Sequence, residues 1–408
     1  MQLKEFSLIS PQVESGTVLK ALETAIPTQA IEQAIVQTHS HEERLRALPS
    51  HLVISLVIAM SLWSKASMRT VLKNLVDGLS EAWIRVGQYW RVPSKSSITE
   101  ARQRVGCGVM SRLFHLVVRP CATVQTPGAF LAGLRLMAVD GTVFDIPDTL
   151  ANARVFGYPA TRPGTIAAFP KVRLVMLIEA GTHLIVDALI CPYRIGERVR
   201  AKKLLRSVTS GMLLMWDRGL HSYKMVQATL KQKCDYLGRV PKNVKFPVET
   251  VLEDGSYLSW IAPDGQSKKK GGKKIIVRVI EYTLDHNGEP QIYRLISSLT
   301  DINLFPAILL ATEYHRRWEV ENTIDELKVH LVGRKTPIRS LNPREVVQEI
   351  YGWLLGHWAV RSLMFQVAES AQISPLRLSF TGTLHVVRRA VPKFQRLQSE
   401  EIPFFSLG

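Results

Sequence analysis

Cysteine is scarce in this chain. Its four copies, Cys107, Cys121, Cys191 and Cys234, stand far apart and form no CxxC pair. That spacing argues against a zinc framework or a disulfide scaffold, and reduced thiols in a cytosolic, cytoplasmic protein are the expectation. Long hydrophobic runs are lacking as well. The most apolar one, Leu52 to Trp63, is interrupted by two serines and falls short of the roughly 20 residues that cross a bilayer. It reads as a buried helix. The N-terminus lacks the basic-then-apolar order of a signal peptide. Acidic side chains are the third shortage: 35 Asp+Glu stand against 52 Lys+Arg, a net charge of +17. That excess calls for a polyanionic partner, most simply nucleic acid, whose binding releases counterions. No lipidation or juxtamembrane pattern accompanies the charge, so no membrane partner is expected.

The 408 residues leave room for two or three domains. Residues 1 to about 125 carry apolar positions at spacings of three and four, through Val18–Ile35 and Leu52–Leu79, and predict a helical N-terminal domain, assigned to DNA binding. Ser97 and Glu100 form a capping-box pair that predicts a short basic helix starting near Ala101. Nearby Lys95, Arg102 and Arg104 either touch phosphates or are simply solvated. His39 and His41, beside Glu42 and Glu43, read as surface histidines. From about 130 the period becomes strand-like. Leu134–Val139 ends in Asp140, and Val172–Ile178 and His183–Ile190 flank a Gly-containing turn that predicts a hairpin. A helix (197–207), the strand Met212–Trp216 ending at Asp217, a helix (221–231) and a strand (235–240) follow. Residues 242–300 break this alternation and read as a β-rich insertion with a basic loop, Lys268–Lys274, at its tip. Pro306 opens a helix running to about Leu331, with Gly333 as its stop. Residues 336–408 read as a helical, basic C-terminal region.

The helix opened by Pro306 holds the most informative spacing. Tyr314, Arg317, Glu321 and Lys328 fall within an arc of about 60° on a regular α-helix. The stripe beside them, Val320, Ile324, Leu327 and Leu331, is wholly apolar. A helix packed on that stripe would present an aromatic, two cations and a carboxylate along its rim, a pattern ordinary surface ion pairing also produces. Glu319, Asp325 and Glu326 are rival acids; Glu326 lies roughly 140° from Glu321 and Asp325 roughly 40°. Asp140 and Asp217 each end an apolar strand run with glycine within two residues. A carboxylate there needs a cationic partner or a metal. Asp145, Asp148 and Asp187 lack that context.

Two such aspartates in a mixed sheet, with a glutamate on a later helix, resemble the RNase H-like nucleotidyltransferases. The Tyr–Arg–Glu–Lys spacing further resembles the signature of the DDE transposases of the insertion-sequence-four family. Asp140-Gly-Thr142, Trp216-Asp-Arg-Gly219, Ser96–Arg102 and Pro375–Phe380 are similar to the family too, so the resemblance covers most of the chain. It implies an α/β fold, an RNase H-like mixed sheet flanked by helices (130–335), and an enzyme acting on double-stranded DNA. It implies that Asp140, Asp217 and Glu321 are the catalytic, metal-binding triad for two divalent cations, normally Mg²⁺ with Mn²⁺ as substitute. Tyr314, Arg317 and Lys328 would grip DNA phosphates, Trp318 would pack under the site or touch DNA, and Trp260 is the insertion's one tryptophan for stacking an extruded base. Binding of element terminal repeats, end cleavage and joining to target DNA by a homodimer is the implied activity. A nuclease without strand transfer and a non-catalytic DNA-binding remnant are the alternatives. The segment 400–408 is less basic than the resemblance implies, which would suit a shortened copy.

Overall fold

A computed structural model describes residues 22–42, 48–76, 92–160, 165, 167–269, 271–286, 289–333 and 337–391; the C-terminal segment 400–408 lies outside them. Among the described residues, the helices α1 (Thr28–Gln37), α2 (Ser50–Leu62), α3 (Met68–Val76), α4 (Lys95–Val105) and α5 (Gly108–Val117) come first. The strand β1 (Phe130–Leu131) leads into β2 (Leu134–Asp145), α6 (Leu150–Phe156) and the hairpin β3 (Lys171–Glu179) and β4 (Leu184–Pro192). Then follow α7 (Glu197–Leu204), β5 (Met212–Trp216), α8 (Tyr223–Lys231) and β6 (Asp235–Arg239). The insertion contributes β7 (Thr250–Val251), β8 (Tyr257–Ile261), α9 (Gly265–Lys269), β9 (Ile275–His286) and β10 (Glu289–Ser297). Helices α10 (Ala307–Arg316), α11 (Trp318–Asp325), a π-helical turn (Glu326–Val332), α12 (Pro343–Ser370) and α13 (Phe380–Ala390) complete the described chain.

Apolar on almost every side, α2 must be enclosed, and Leu52, Val53, Ile54, Leu56, Val57 and Met60 are all buried. It crosses the 28-residue α12 at Gly352, where a Cβ would come within 2.5 Å of the Val57 carbonyl oxygen. Only glycine permits that approach. No helix among the described residues is long and apolar enough to cross a membrane.

The start of α4 differs from expectation. It begins at Lys95, because Ser94 Oγ accepts the Ser97 N–H at 3.1 Å and caps the helix earlier than a Ser97 box would. Arg102 is buried, donating to Gln348 Oε1 at 2.9 Å and Ser340 Oγ at 3.0 Å. Arg104 donates to the Leu48 carbonyl at 2.6 Å. Arg102 thus ties its helix to α12 and is not solvated, whereas Arg104 reaches the segment before α2 and stays exposed, as Lys95 does.

The sheet has ten strands in the order β4-β3-β2-β5-β6-β10-β9-β8-β7, with β1 on β2. β2, β5 and β6 run parallel, while β3 and β4 are antiparallel to their neighbours. This is the RNase H-like mixed sheet flanked by helices. The insertion is not a separate layer: β10 pairs with β6, Leu295 opposite Arg239, so the inserted strands prolong the same sheet. In its basic segment the Lys273 carbonyl accepts from Tyr223 Oη at 2.7 Å.

One expectation needs correcting. Asp140 does not end its strand, since β2 continues to Asp145. Its pairing with β5 stops at Val139↔Trp216, whereas pairing with β3 runs on to Asp145↔Lys171. The antiparallel partner carries the strand onward, and Asp140 is the first residue whose β5-side edge is open. Asp217 leaves the end of β5 on that same side.

Candidate active site

The helix that brings the third acid is built in three sections. α10 ends at Arg316 and α11 starts at Trp318, and the junction tightens through i→i−3 bonds, Arg317 N to Tyr314 O at 3.1 Å and Val320 N to Arg317 O at 2.9 Å. From Glu326 the turn widens to a π-helix that stops at Gly333, whose φ of 54° is the left-handed cap expected there. Val320, Leu327 and Leu331 are fully buried, so the apolar stripe anchors the helix as read. The uniform arc is not kept. Lys328 is nonetheless carried to β2, its Nζ 3.4 Å from Thr142 Oγ1 and 5.7 Å from the Phe144 ring centroid.

Asp140, Asp217 and Glu321 gather around guanidinium groups. Arg317 lies between two of them, Nη1 3.5 Å from Asp140 Oδ2 and Nη2 3.5 Å from Glu321 Oε1. Asp140 Oδ1 also accepts the Gly141 N–H at 2.7 Å. Asp217 Oδ1 accepts from Tyr314 Oη at 3.4 Å and stands 3.8 Å from Arg239 Nη1. Tyr314 and Arg317 are thus buried against carboxylates instead of standing outward, at 4% and 8% exposure. Trp318 stands out at 64%, so it does not pack under the site. Trp260 has one ring face under Lys274 Nζ, 3.5 Å from its centroid, and donates Nε1 to Glu249 at 2.7 Å.

Burial raises the proton affinity of Asp140, and the charges of Asp217 and Glu321 push it the same way, against the Gly141 N–H and Arg317. Burial works against the Arg317 charge, but Tyr314, Asp140 and Asp217 outweigh it and raise its pKa. Tyr314 is pushed upward by burial. His221, just beyond Asp217, is lowered by burial and by Arg198 to about 4, so it is neutral.

Glu197 and Arg239 escaped the reading of the sequence. Glu197 opens α7, and a Cβ on Gly141 would lie 2.7 Å from its Oε1. That contact, and not access for a ligand, is what Gly141 provides. Burial raises the Glu197 pKa and the Asp140 charge adds to the shift. Glu197 stands five residues after β4 and not at its end, so nothing local marked it; Arg239 ends an ordinary strand. The rival acids separate cleanly. Glu326 is buried on Arg361, His183 and His357, and Glu319 Oε2 sits 3.1 Å from His183 Nε2. Asp325 is exposed.

Among the described residues no three His, Cys, Asp or Glu side chains converge closely enough to hold an ion as they stand. The donor set still fits a hard cation. Asp140, Asp217, Glu197 and Glu321 supply only carboxylate oxygen, and four acids there meet three guanidiniums, of Arg173, Arg239 and Arg317.

A family described as Insertion element 4 transposase N-terminal matches residues 17–115, and one described as Transposase DDE domain matches residues 132–355. The chain is 25% identical over 391 residues to the transposase InsG for insertion sequence element IS4 of Escherichia coli (strain K12), covering 94% of this chain and 86% of that one. It also aligns with the piggyBac transposase in a synaptic complex with hairpin DNA, at a TM-score of 0.48 and 12% identity, over 96% of this chain and 86% of that one.

Proposed function

This chain belongs to the DDE transposases of the insertion element 4 kind, and from that premise we propose that it binds the terminal inverted repeats of an insertion sequence, cleaves their ends and joins them to target DNA. The observation that supports the reading is that Asp140 and Glu321 share Arg317 while Asp217 leaves β5 where the β2–β5 pairing ends. These three would hold two Mg²⁺ ions, with Mn²⁺ as substitute. The chemistry such ions supply is activation of the water or 3′-hydroxyl nucleophile and stabilisation of the leaving oxygen.

The remaining residues position DNA. Among the described residues Arg317 Nε and Nη1 have no hydrogen-bond partner, Nη1 standing in an ion pair with Asp140, and they are the donors a phosphate would take. Tyr314 orients Asp217 through its hydroxyl. Lys328 and Trp318 are exposed, the first for a phosphate and the second for a sugar or base. Residues 1–125 act as the DNA-binding domain, 130–335 as the catalytic domain with its insertion at 242–300, and 336–408 as the helical C-terminal region. The chain works as a homodimer on double-stranded DNA in the cytoplasm, at the nucleoid. The net charge of +17 suits that polyanion.

The test is purified protein with labelled terminal-repeat DNA and Mg²⁺. Strand-transfer products are expected. Cleavage without joining would make the chain a nuclease, and binding alone a non-catalytic DNA-binding protein.

A further inference from the structure

We propose that Glu197 is a fourth carboxylate of the metal site, acting with Asp140, Asp217 and Glu321 to set how tightly divalent cation is held. The inference rests on the triad reading above and adds a residue that lies outside the Tyr–Arg–Glu–Lys spacing and outside both aspartate motifs.

Three contacts place it. Glu197 Oε1 is directed at the α-carbon of Gly141, the residue after Asp140, so closely that a Cβ there would lie 2.7 Å away. Arg198, its neighbour, donates Nε to the Gly219 carbonyl at 3.1 Å, fastening the same helix end to the turn that follows Asp217. Arg173, from β3, donates Nη1 to Glu197 Oε2 at 3.2 Å and fixes the side chain from the far side. The first residue of α7 is therefore wedged between the two aspartate-bearing segments, with its carboxylate over the backbone of one of them.

An ion pair alone does not explain that position. A glutamate placed only to neutralise Arg173 gains nothing from standing beside other acids, and like charges in a half-buried site oppose one another. Its side chain keeps 29% exposure, so one oxygen can take a cation from solvent while the other stays on Arg173. Carboxylates brought together in this way are reconciled by added positive charge.

The experiment compares full-length wild type, Glu197→Gln, Asp140→Asn and Arg173→Gln. Mn²⁺ binding is measured by calorimetry, and cleavage of terminal-repeat DNA is titrated with Mg²⁺. Thermal unfolding and DNA binding without divalent ions serve as controls for folding. Glu197→Gln is expected to weaken Mn²⁺ binding by about tenfold and to raise the Mg²⁺ needed for half-maximal cleavage by the same factor. Arg173→Gln, which removes a competing cation, is expected to leave Mn²⁺ affinity equal or tighter. Wild-type affinity in Glu197→Gln, beside loss in Asp140→Asn, would overturn the assignment and leave the triad standing. An equal loss in Arg173→Gln and Glu197→Gln would also overturn it, reducing Glu197 to half of a structural ion pair. Wild-type affinity in Asp140→Asn would instead sink the triad reading itself.

Discussion

Glu321 and Glu326 sit five positions apart on one bent helix and end in opposite surroundings. Glu326 is buried among polar partners: Arg361 Nε donates to it at 2.7 Å, and His183 Nδ1 and His357 Nε2 lie 2.9 Å and 3.3 Å from its oxygens. Burial would raise its pKa, but these partners hold it well below the ordinary carboxylate range. Glu321 stays half exposed, and the acid it shares Arg317 with, Asp140, is pushed upward by burial and by its acidic neighbours. One cluster is charge-satisfied and joins the turn between β3 and β4 to α12. The other carries more acid than the protein compensates. Burial alone does not separate a structural carboxylate from a functional one; the local balance of charge does.

The largest expected effects would split the two clusters. Glu321→Gln should remove cleavage to below detection while DNA binding and the unfolding midpoint stay near wild type. Cleavage that persists would mean the third acid has been misassigned. Glu326→Gln should do the reverse. It leaves Arg361 buried beside a neutral amide, which costs about 3–5 kcal/mol when one partner of a buried pair is removed. Chemical denaturation should show that loss, with near-normal cleavage per folded molecule. If Glu326→Gln unfolds like wild type and yet fails to cut, the distinction between the clusters collapses.

Next in size is the pH response, where the two clusters carry opposite signs. The folded-state pKa of Glu326 is depressed, so its contribution is present above its unfolded value of 4.5 and fades as pH falls below that. Asp140 and Glu197 are raised from 3.8 and 4.5, so the fold favours their protonated forms. Their contribution is complete below those values and lost as pH rises through the higher folded pKa values. Without divalent ions, Asp140→Asn should therefore be at least as stable as wild type at neutral pH. Glu326→Gln should flatten the acid limb of the stability curve. Unfolding midpoints across pH 3 to 8, roughly the carboxylate range and above, measure both. A destabilised Asp140→Asn at pH 7 would remove the claim of surplus acid at the site.

Much of this contrast was legible in the residues, and the failures have physical causes. The angular arithmetic set Glu326 apart from Glu321, and the stripe through Val320, Leu327 and Leu331 fixed which side packs. The β3–β4 hairpin, the buried helix over Leu52 and the Gly333 stop followed from period and turn chemistry. Asp140 was misplaced at a strand end because the pairing that extends β2 comes from β3, some thirty residues later. Arg102 read as a phosphate contact or a solvated cation because its partners, Gln348 and Ser340, are remote in sequence. Glu197 was invisible for a different reason. An acid at the first position of a helix is favourable on any helix, so its type says nothing about what faces it.

The smallest effect concerns Lys328, which lies in the π-helical turn begun by Glu326. Among the described residues its Nζ reaches the Thr142 hydroxyl and the Phe144 ring, and neither contact is a carboxylate. A cation held at the open end of β2 with neutral neighbours can meet a phosphate close to the acids. Lys328→Ala should then reduce cleavage and binding only in part, because Asp140, Asp217 and Glu321 are untouched. It should also lower the slope of log affinity against log salt by about 1, the signature of one lost phosphate contact. An unchanged slope with weaker cleavage would place Lys328 beside the carboxylates and off the DNA backbone. That result would move it from the phosphate-binding side of the helix to the side that balances the triad's charge.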